Sequence, residues 1–183
     1  NAAATLKCLV KLWCLKINKK KLLEIAFSLG QDVPYFFSSN LCLLTGFGHI
    51  PHKVIYKLPK FYLVIIYPNY SIKPSTRWMF QHLDYSLVGK NIYKTDQLLR
   101  AIKDRDKDKI LNNIHNDFET IVFKYFPETQ KIVKSLISHN AYKTLLSGSG
   151  LGIIGFFKTQ KQAKIVYDAL KPIYSKIYLT QTI

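Results

Sequence analysis

Residues Phe61 to Tyr67 are apolar or aromatic without a break, and the run is too short for a buried helix, so it reads as a strand. The order of elements after this strand constrains the fold. A helical centre over Asp96 to Ile114 carries Leu98, Leu99, Ile102, Ile110 and Leu111, and a further helix is expected over Glu128 to Ser138. Strands Thr144 to Leu146 and Ile153 to Phe157 flank the run Ser147-Gly148-Ser149-Gly150, helix Gln160 to Leu170 comes next, and Tyr174 to Thr180 closes as a strand. The order β, several α, β, β, α, β predicts a ferredoxin-like α+β domain with extra helices.

The N-terminal part reads differently. Leu6, Leu9, Val10 and Trp13 hold one helix face, and Asn18 with Lys19-Lys20-Lys21 reads as a solvated turn. A second stripe, Leu22, Leu23, Ile25, Ala26 and Leu29, ends at Gly30, a good C-cap residue. Asp32-Val33-Pro34 then places Pro in the first turn of another short helix beginning at Tyr35-Phe36-Phe37. Leu41 to Leu44 and Lys53 to Leu58 are expected as a hairpin around Gly46-Phe47-Gly48. The domain boundary is placed between residues 58 and 59, and Ser75-Thr76 is expected to open a helix leading into Trp78, Met79 and Phe80.

The net charge of +16 on 183 residues points to an anionic partner such as RNA, a membrane surface, or a nucleotide and phosphorylated substrate. Lys, Asn, Ile and Tyr are all abundant, as in proteins from genomes poor in G and C, and at least half of the excess is assigned to that drift. Cys8, Cys14 and Cys42 are odd in number and lack a C-x-x-C spacing, which argues against a disulfide framework or zinc site and for a reducing cytosol. The apolar runs fall far short of the roughly 20 residues that cross a bilayer, so no membrane partner is expected. Without an initiator Met, Asn1-Ala2-Ala3-Ala4 opens directly into a helical pattern, and the chain is read as a fragment.

Few residues remain to carry chemistry. His49, His52, His82, His115 and His139 are scattered, and no metal ligands are expected among them. Neither a nucleophile elbow nor a G-x-x-x-x-G-K-[ST] loop is present. The alternating charges from Lys103 to Lys109 read as exposed surface, and Asn116-Asp117-Phe118-Glu119 reads as a capping box. Asp32 is either a helix cap, which its local pattern favours, or a general base. Ser147-Gly148-Ser149-Gly150 is either an ordinary turn or a loop whose backbone approaches a phosphate.

The joint pattern favours the second alternative in each case. Leu-Gly-x-Asp-Val-Pro-aromatic-Phe at 29–36, then Thr45-Gly46-Phe47-Gly48, then Asn116-Asp117-Phe118-Glu119, then Leu-Ser-Gly-Ser-Gly at 146–150, resembles the GHMP small-molecule kinases over nearly the whole chain. Within them it is most similar to the branch acting on 4-diphosphocytidyl-2-C-methyl-D-erythritol in non-mevalonate isoprenoid biosynthesis. The resemblance implies phosphorylation of that acceptor's 2-hydroxyl with ATP and Mg2+, in a bacterial cytoplasm or a plastid-like organelle, with no nucleic-acid partner.

It also implies a fold: the last part of a ribosomal-protein-S5-like ATP-binding domain over residues 1–58, then the ferredoxin-like C-terminal domain over 59–183. Asp32 matches the family's catalytic aspartate, and Asn1 the end of its phosphate loop. The rest of that loop and a lysine beside the aspartate fall outside these residues, so the fragment alone is expected to be inactive. Ser75, Thr76 and Phe80 lie where the family has a substrate-side Ser/Thr and aromatic, in a segment with an extra residue or two. His49 replaces the glutamate of the usual Gly-x-Gly-Glu. Homoserine, mevalonate or galactose kinase and, in a different class, a basic RNA-binding module are the alternatives.

Overall fold

The computed structural model describes residues 1–38, 41–46 and 48–182, and the chain divides into two compact units, Asn1–Lys57 and Leu58–Ile183. In the first unit, α1 (Ala2–Leu12) and α2 (Lys19–Leu29) precede a 3-10 turn at Val33–Phe37. Asn18 caps α2 by accepting a hydrogen bond from the Lys21 N–H at 2.8 Å. The Lys19-Lys20-Lys21 cluster is thus the exposed first turn of a helix and not a connecting turn, because the cap draws the helix start back to it. Gly30 ends α2 with extended backbone, its N–H bonded to Phe27 O.

Strands β1 (Cys42–Thr45) and β2 (Ile50–Lys53) pair antiparallel, with Cys42 opposite Lys53 and Thr45 opposite Ile50. The hairpin is the expected one, but its second strand lies earlier than the Lys53 to Leu58 reading. Gly46 and Gly48 both take left-handed φ, which closes the turn sooner than the apolar pattern suggests. Phe47 of that turn lies outside the described residues.

The second unit is built on a four-stranded antiparallel sheet in the order β4 (Lys143–Leu146), β5 (Ile153–Phe157), β3 (Tyr62–Ile66), β6 (Ile177–Gln181). This is the ferredoxin-like arrangement that the element order predicts. β3 pairs on both edges, with Val64 opposite Gly155 on one side and Leu179 on the other, which explains why its sequence is apolar throughout. Val64, Ile66, Leu146, Ile153 and Phe157 are buried, with α7 (Pro127–Ser138) and α8 (Gln160–Leu170) packed on the sheet. Ile132 and Leu136 of α7, and Ala163, Val166 and Leu170 of α8, follow helical spacing and form the facing layer.

Between β3 and α7 the chain inserts α3 (Thr76–Gln81), α4 (Tyr93–Lys103), α5 (Lys107–Asn113) and α6 (Glu119–Tyr125). The helical centre expected over Asp96 to Ile114, interrupted by the charge run from Lys103 to Lys109, is two helices that part within that run. Asp104 ends the first, Arg105 turns the chain with φ +56°, and Asp106 caps the second by accepting from the Lys109 N–H. Among the described residues no helix is long and apolar enough to cross a membrane.

One side chain fixes the connection from β3 to α3. Glu128, in the first turn of α7, accepts hydrogen bonds from the N–H groups of Asn69 (2.7 Å), Ser71 (3.0 Å) and Tyr70 (3.3 Å) and from the Ser71 hydroxyl (2.9 Å). Asn69 extends the tie, donating to Ile173 O and accepting from Ser175. Burial pushes the Glu128 carboxyl up, but the donors from Asn69, Ser71 and Tyr70 together outweigh it and hold the group below the ordinary carboxylate range. A folded-state pKa below the unfolded one gives stability that is present above the unfolded value, about 4.3, and lost as pH falls through the folded one. Glu128→Gln is therefore expected to lower Tm by about 2–4 °C at pH 7. In thermal melts across pH, the gap to wild type should narrow progressively as pH falls below about 4.3.

Candidate active site

The Ser-Gly run forms the turn between β4 and β5. The Ser147 N–H bonds to Gly152 O at 2.8 Å and the Gly150 N–H to Ser147 O at 3.2 Å, with Gly148 at φ +55° where a side chain would be strained. Gly152 answers a different need, since a Cβ there would lie 2.9 Å from the Tyr67 ring.

Two side chains from the α5–α6 connection and the start of α6 hold this turn in shape. The Asn116 carboxamide donates to Leu146 O (2.9 Å) and Gly148 O (2.8 Å), and Glu119 accepts the Leu146 N–H at 2.9 Å. The capping box expected over Asn116 to Glu119 is not formed. Asn116 Oδ1 does accept from the Phe118 N–H, but α6 is preceded by Phe118 with no side-chain cap, and the Glu119 carboxylate goes to the strand. The reason is burial: Leu146 is almost wholly enclosed, and its N–H points away from β5, so it needs an acceptor more than the helix end does. The neighbouring Asp117 accepts from the Gly89 N–H.

On the facing segment, Ser75 caps α3 by accepting the Trp78 N–H at 3.0 Å, which commits its hydroxyl to the helix start. Thr76 and Ser149 are joined through Lys73, whose ammonium donates to Thr76 Oγ1 at 3.0 Å and to Ser149 Oγ at 3.3 Å. Phe80 is about half exposed (48%) and meets Phe118 edge to face, ring centroids 5.0 Å apart. The second unit thus gathers Ser75, Thr76 and the 147–150 turn around Lys73, while Phe80 is tied to the same turn through Phe118 and Asn116. Lys73 is a site residue that the sequence reading does not single out, and Asn116 and Glu119 are singled out there only as a capping box and as part of the family pattern. Asn-Asp-Phe-Glu is visible there, and its form alone fits a capping box as well as it fits ties to the strand.

Asp32 and Asn1 belong to the first unit. Asp32 stands in the cap position of the Val33–Phe37 turn, but its side chain makes no cap hydrogen bond and it is exposed, which removes the structural explanation its local pattern favours. Pro34 is buried in the turn it starts. Asn1 heads α1 without a side-chain cap bond. His52 bonds Thr45 Oγ1 at 2.8 Å, and His82 stacks on Trp78. Among the described residues no three His, Cys, Asp or Glu side chains are grouped as a metal nest.

Residues 98–176 match the family described as GHMP kinases C terminal. The chain is 32% identical over 182 residues to 4-diphosphocytidyl-2-C-methyl-D-erythritol kinase of Alkaliphilus oremlandii, covering 100% of this chain and 61% of that protein. It is 35% identical over 173 residues to the kinase of the same name from Thermodesulfovibrio yellowstonii, covering 90% of this chain and 58% of that protein. It thus spans about three fifths of the length of these relatives. Among solved structures, a 4-(cytidine 5'-diphospho)-2C-methyl-D-erythritol kinase superposes with a TM-score of 0.76 at 20% identity, covering 98% of this chain and 62% of that one. Homoserine kinase from Cytophaga hutchinsonii superposes with a TM-score of 0.75 at 15% identity, covering 99% and 62%. Residues 98–176 thus match the C-terminal family of the GHMP kinases, and the chain is similar in fold to solved kinases of that kind.

Proposed function

We propose that this chain carries the acceptor side and the catalytic base of an ATP-dependent kinase that phosphorylates the 2-hydroxyl of 4-diphosphocytidyl-2-C-methyl-D-erythritol. The observation that carries the reading is Asp32, an exposed carboxylate at the head of a Pro-initiated turn with no cap bond to occupy its side chain. The named relatives support the choice of acceptor over the homoserine and mevalonate alternatives, which stand as fold neighbours at 15% identity. In this reading residues 1–58 close the ATP-binding domain and 59–183 form the C-terminal domain.

The mechanism follows from the roles these groups can fill. Bound MgATP supplies the phosphoryl group. Asp32 orients the acceptor's 2-hydroxyl and takes its proton as that oxygen bonds to the γ-phosphorus and the bond to the ADP oxygen breaks. The start of α1 at Asn1 is placed against the nucleotide phosphates, where unpaired helix N–H groups favour anions. The 147–150 turn and Thr76 hold the acceptor, with Phe80 offering it an aromatic surface and Ser75 acting through the helix it caps. Turnover is expected from a polypeptide that also carries a complete phosphate loop.

The test is ADP release with ATP, Mg2+ and the acceptor, in the chain and in a chimera carrying the preceding segment of the Alkaliphilus oremlandii relative. Turnover is expected in the chimera, and Asp32→Asn should reduce kcat by about 100-fold or more with the fold intact by circular dichroism. A folded chimera that does not turn over but binds RNA tightly and with steep salt dependence would overturn the kinase reading. In the same chimera, Asn116→Ala should act on the acceptor side. Loss of the two carbonyl bonds that shape the 147–150 turn is expected to raise KM for the acceptor by about 3–10-fold and leave KM for ATP within about twofold.

A further inference from the structure

Lys73 is a half-buried cation held by hydroxyl groups in place of a carboxylate. Elsewhere in the second unit, Lys109, Lys158 and Lys164 pair with Asp106, Asp108 and Asp168, whereas Lys73 forms no ion pair among the described residues. An ammonium has three N–H donors. Thr76 and Ser149 take two, and the third, with the whole unit of charge, has no described partner. Withdrawing a charge from water without a counterion is unfavourable unless an anion arrives to complete it.

The surroundings suit an anion. In the turn that carries Ser149, the N–H groups of Ser147 and Gly150 are used internally, and those of Gly148 and Ser149 donate to no described residue. The Gly148 carbonyl is occupied by Asn116, and the Glu119 carboxylate is engaged by the Leu146 N–H. Lys73 itself is set in place from behind, because Glu128 pins residues 69–71 two positions upstream.

We propose that Lys73, Thr76 and the 147–150 turn form a phosphate-binding subsite, in which the Lys73 ammonium contacts a phosphate oxyanion and the hydroxyls of Thr76 and Ser149 hold that ammonium in position. The proposal rests on the kinase reading for the identity of its ligand. A phosphate oxyanion can come from the acceptor's diphosphate or from the nucleotide, and the two sources are separable by experiment.

The experiment is calorimetric titration of the 183-residue chain and its Lys73→Met, Lys73→Arg and Ser149→Ala variants with inorganic pyrophosphate, CDP, the methylerythritol conjugate and MgATP, alongside thermal melts. Lys73→Met is expected to weaken phosphate binding by about 10–100-fold, as for loss of a charged hydrogen bond. Lys73→Arg should stay within about threefold of wild type, and Tm should shift by no more than about 2 °C in each variant. Loss confined to CDP and the conjugate assigns the subsite to the acceptor diphosphate, and loss confined to MgATP assigns it to the nucleotide.

The subsite is overturned if Lys73→Met binds every probe as wild type does, if wild type binds none of them, or if Met and Arg variants lose binding equally with a fall in Tm. The kinase reading fails separately. If wild type binds pyrophosphate and loses it in Lys73→Met but does not bind the conjugate, the substrate assignment falls and the subsite stands.

Discussion

Leu146 ends an edge strand, and its buried N–H points away from the sheet. β4 pairs with β5 on one side only, so every second N–H along it faces outward. At the solvent end of such a strand water would serve, but Leu146 is enclosed by the core and water cannot reach it. The Glu119 carboxylate fills the position, and Asn116, three residues earlier, takes the carbonyl of the same residue. With both polar groups of Leu146 engaged from outside the sheet, the turn after it has one end fixed, and the Asn116 bond to Gly148 O fixes its middle. The helices between β3 and β4 thereby do more than connect two strands, since they deliver the two side chains that shape the glycine turn.

A similar device operates on the other wall. The segment leaving β3 has no strand partner after Tyr67, whose N–H bonds to Lys176 O, and over residues 69–71 its N–H groups are collected by Glu128. Both walls are therefore positioned by carboxylates near helix starts, Glu119 in the first turn of α6 and Glu128 in the first turn of α7. Acidic residues are favoured at helix starts in any case, so the same choice of residue serves the helix and the loop.

These long-range ties explain which parts of the architecture can be read from sequence. Strand Ile153–Phe157 and helix Gln160–Leu170 coincide with the expected spans because their periodicity is set by one buried face. The second hairpin strand is misplaced, since it depends on backbone at Gly46 and Gly48 taking left-handed φ, which apolar periodicity does not register, whereas the α4–α5 break falls within the charge run that interrupts the apolar stripe. At the site, the Ser-Gly turn and Ser75-Thr76 stand out through local chemistry. The ties from Lys73 to Ser149, from Glu119 to Leu146 and from Glu128 to residues 69–71 do not, because they span 76, 27 and 57–59 positions. Nothing in the neighbourhood of a lysine or a glutamate names a partner at that distance. In Asn116-Asp117-Phe118-Glu119 local rules offer a nearby backbone N–H, and burial elsewhere supplies a more demanding one.

The internal use of carboxylates also changes the meaning of the charge. The chain has 11 acidic residues against 27 basic ones, and several of the acidic ones are spent internally. Glu119, Glu128, Asp117 and Asp106 accept backbone N–H groups, and the hydrogen bonds from Ser86 hold Asp84 below the ordinary carboxylate range. A carboxylate accepting such bonds keeps its charge, but its field is partly offset by the donors turned toward it. The excess of 27 basic over 11 acidic residues sets a positive field around the protein. A field of that sign draws phosphorylated ligands toward the protein whatever its genomic origin, yet it acts on encounter and is screened by salt. Selection among phosphates has to come from donors held at fixed positions, and holding backbone at fixed positions is what Glu119, Asn116 and Glu128 do in the second unit.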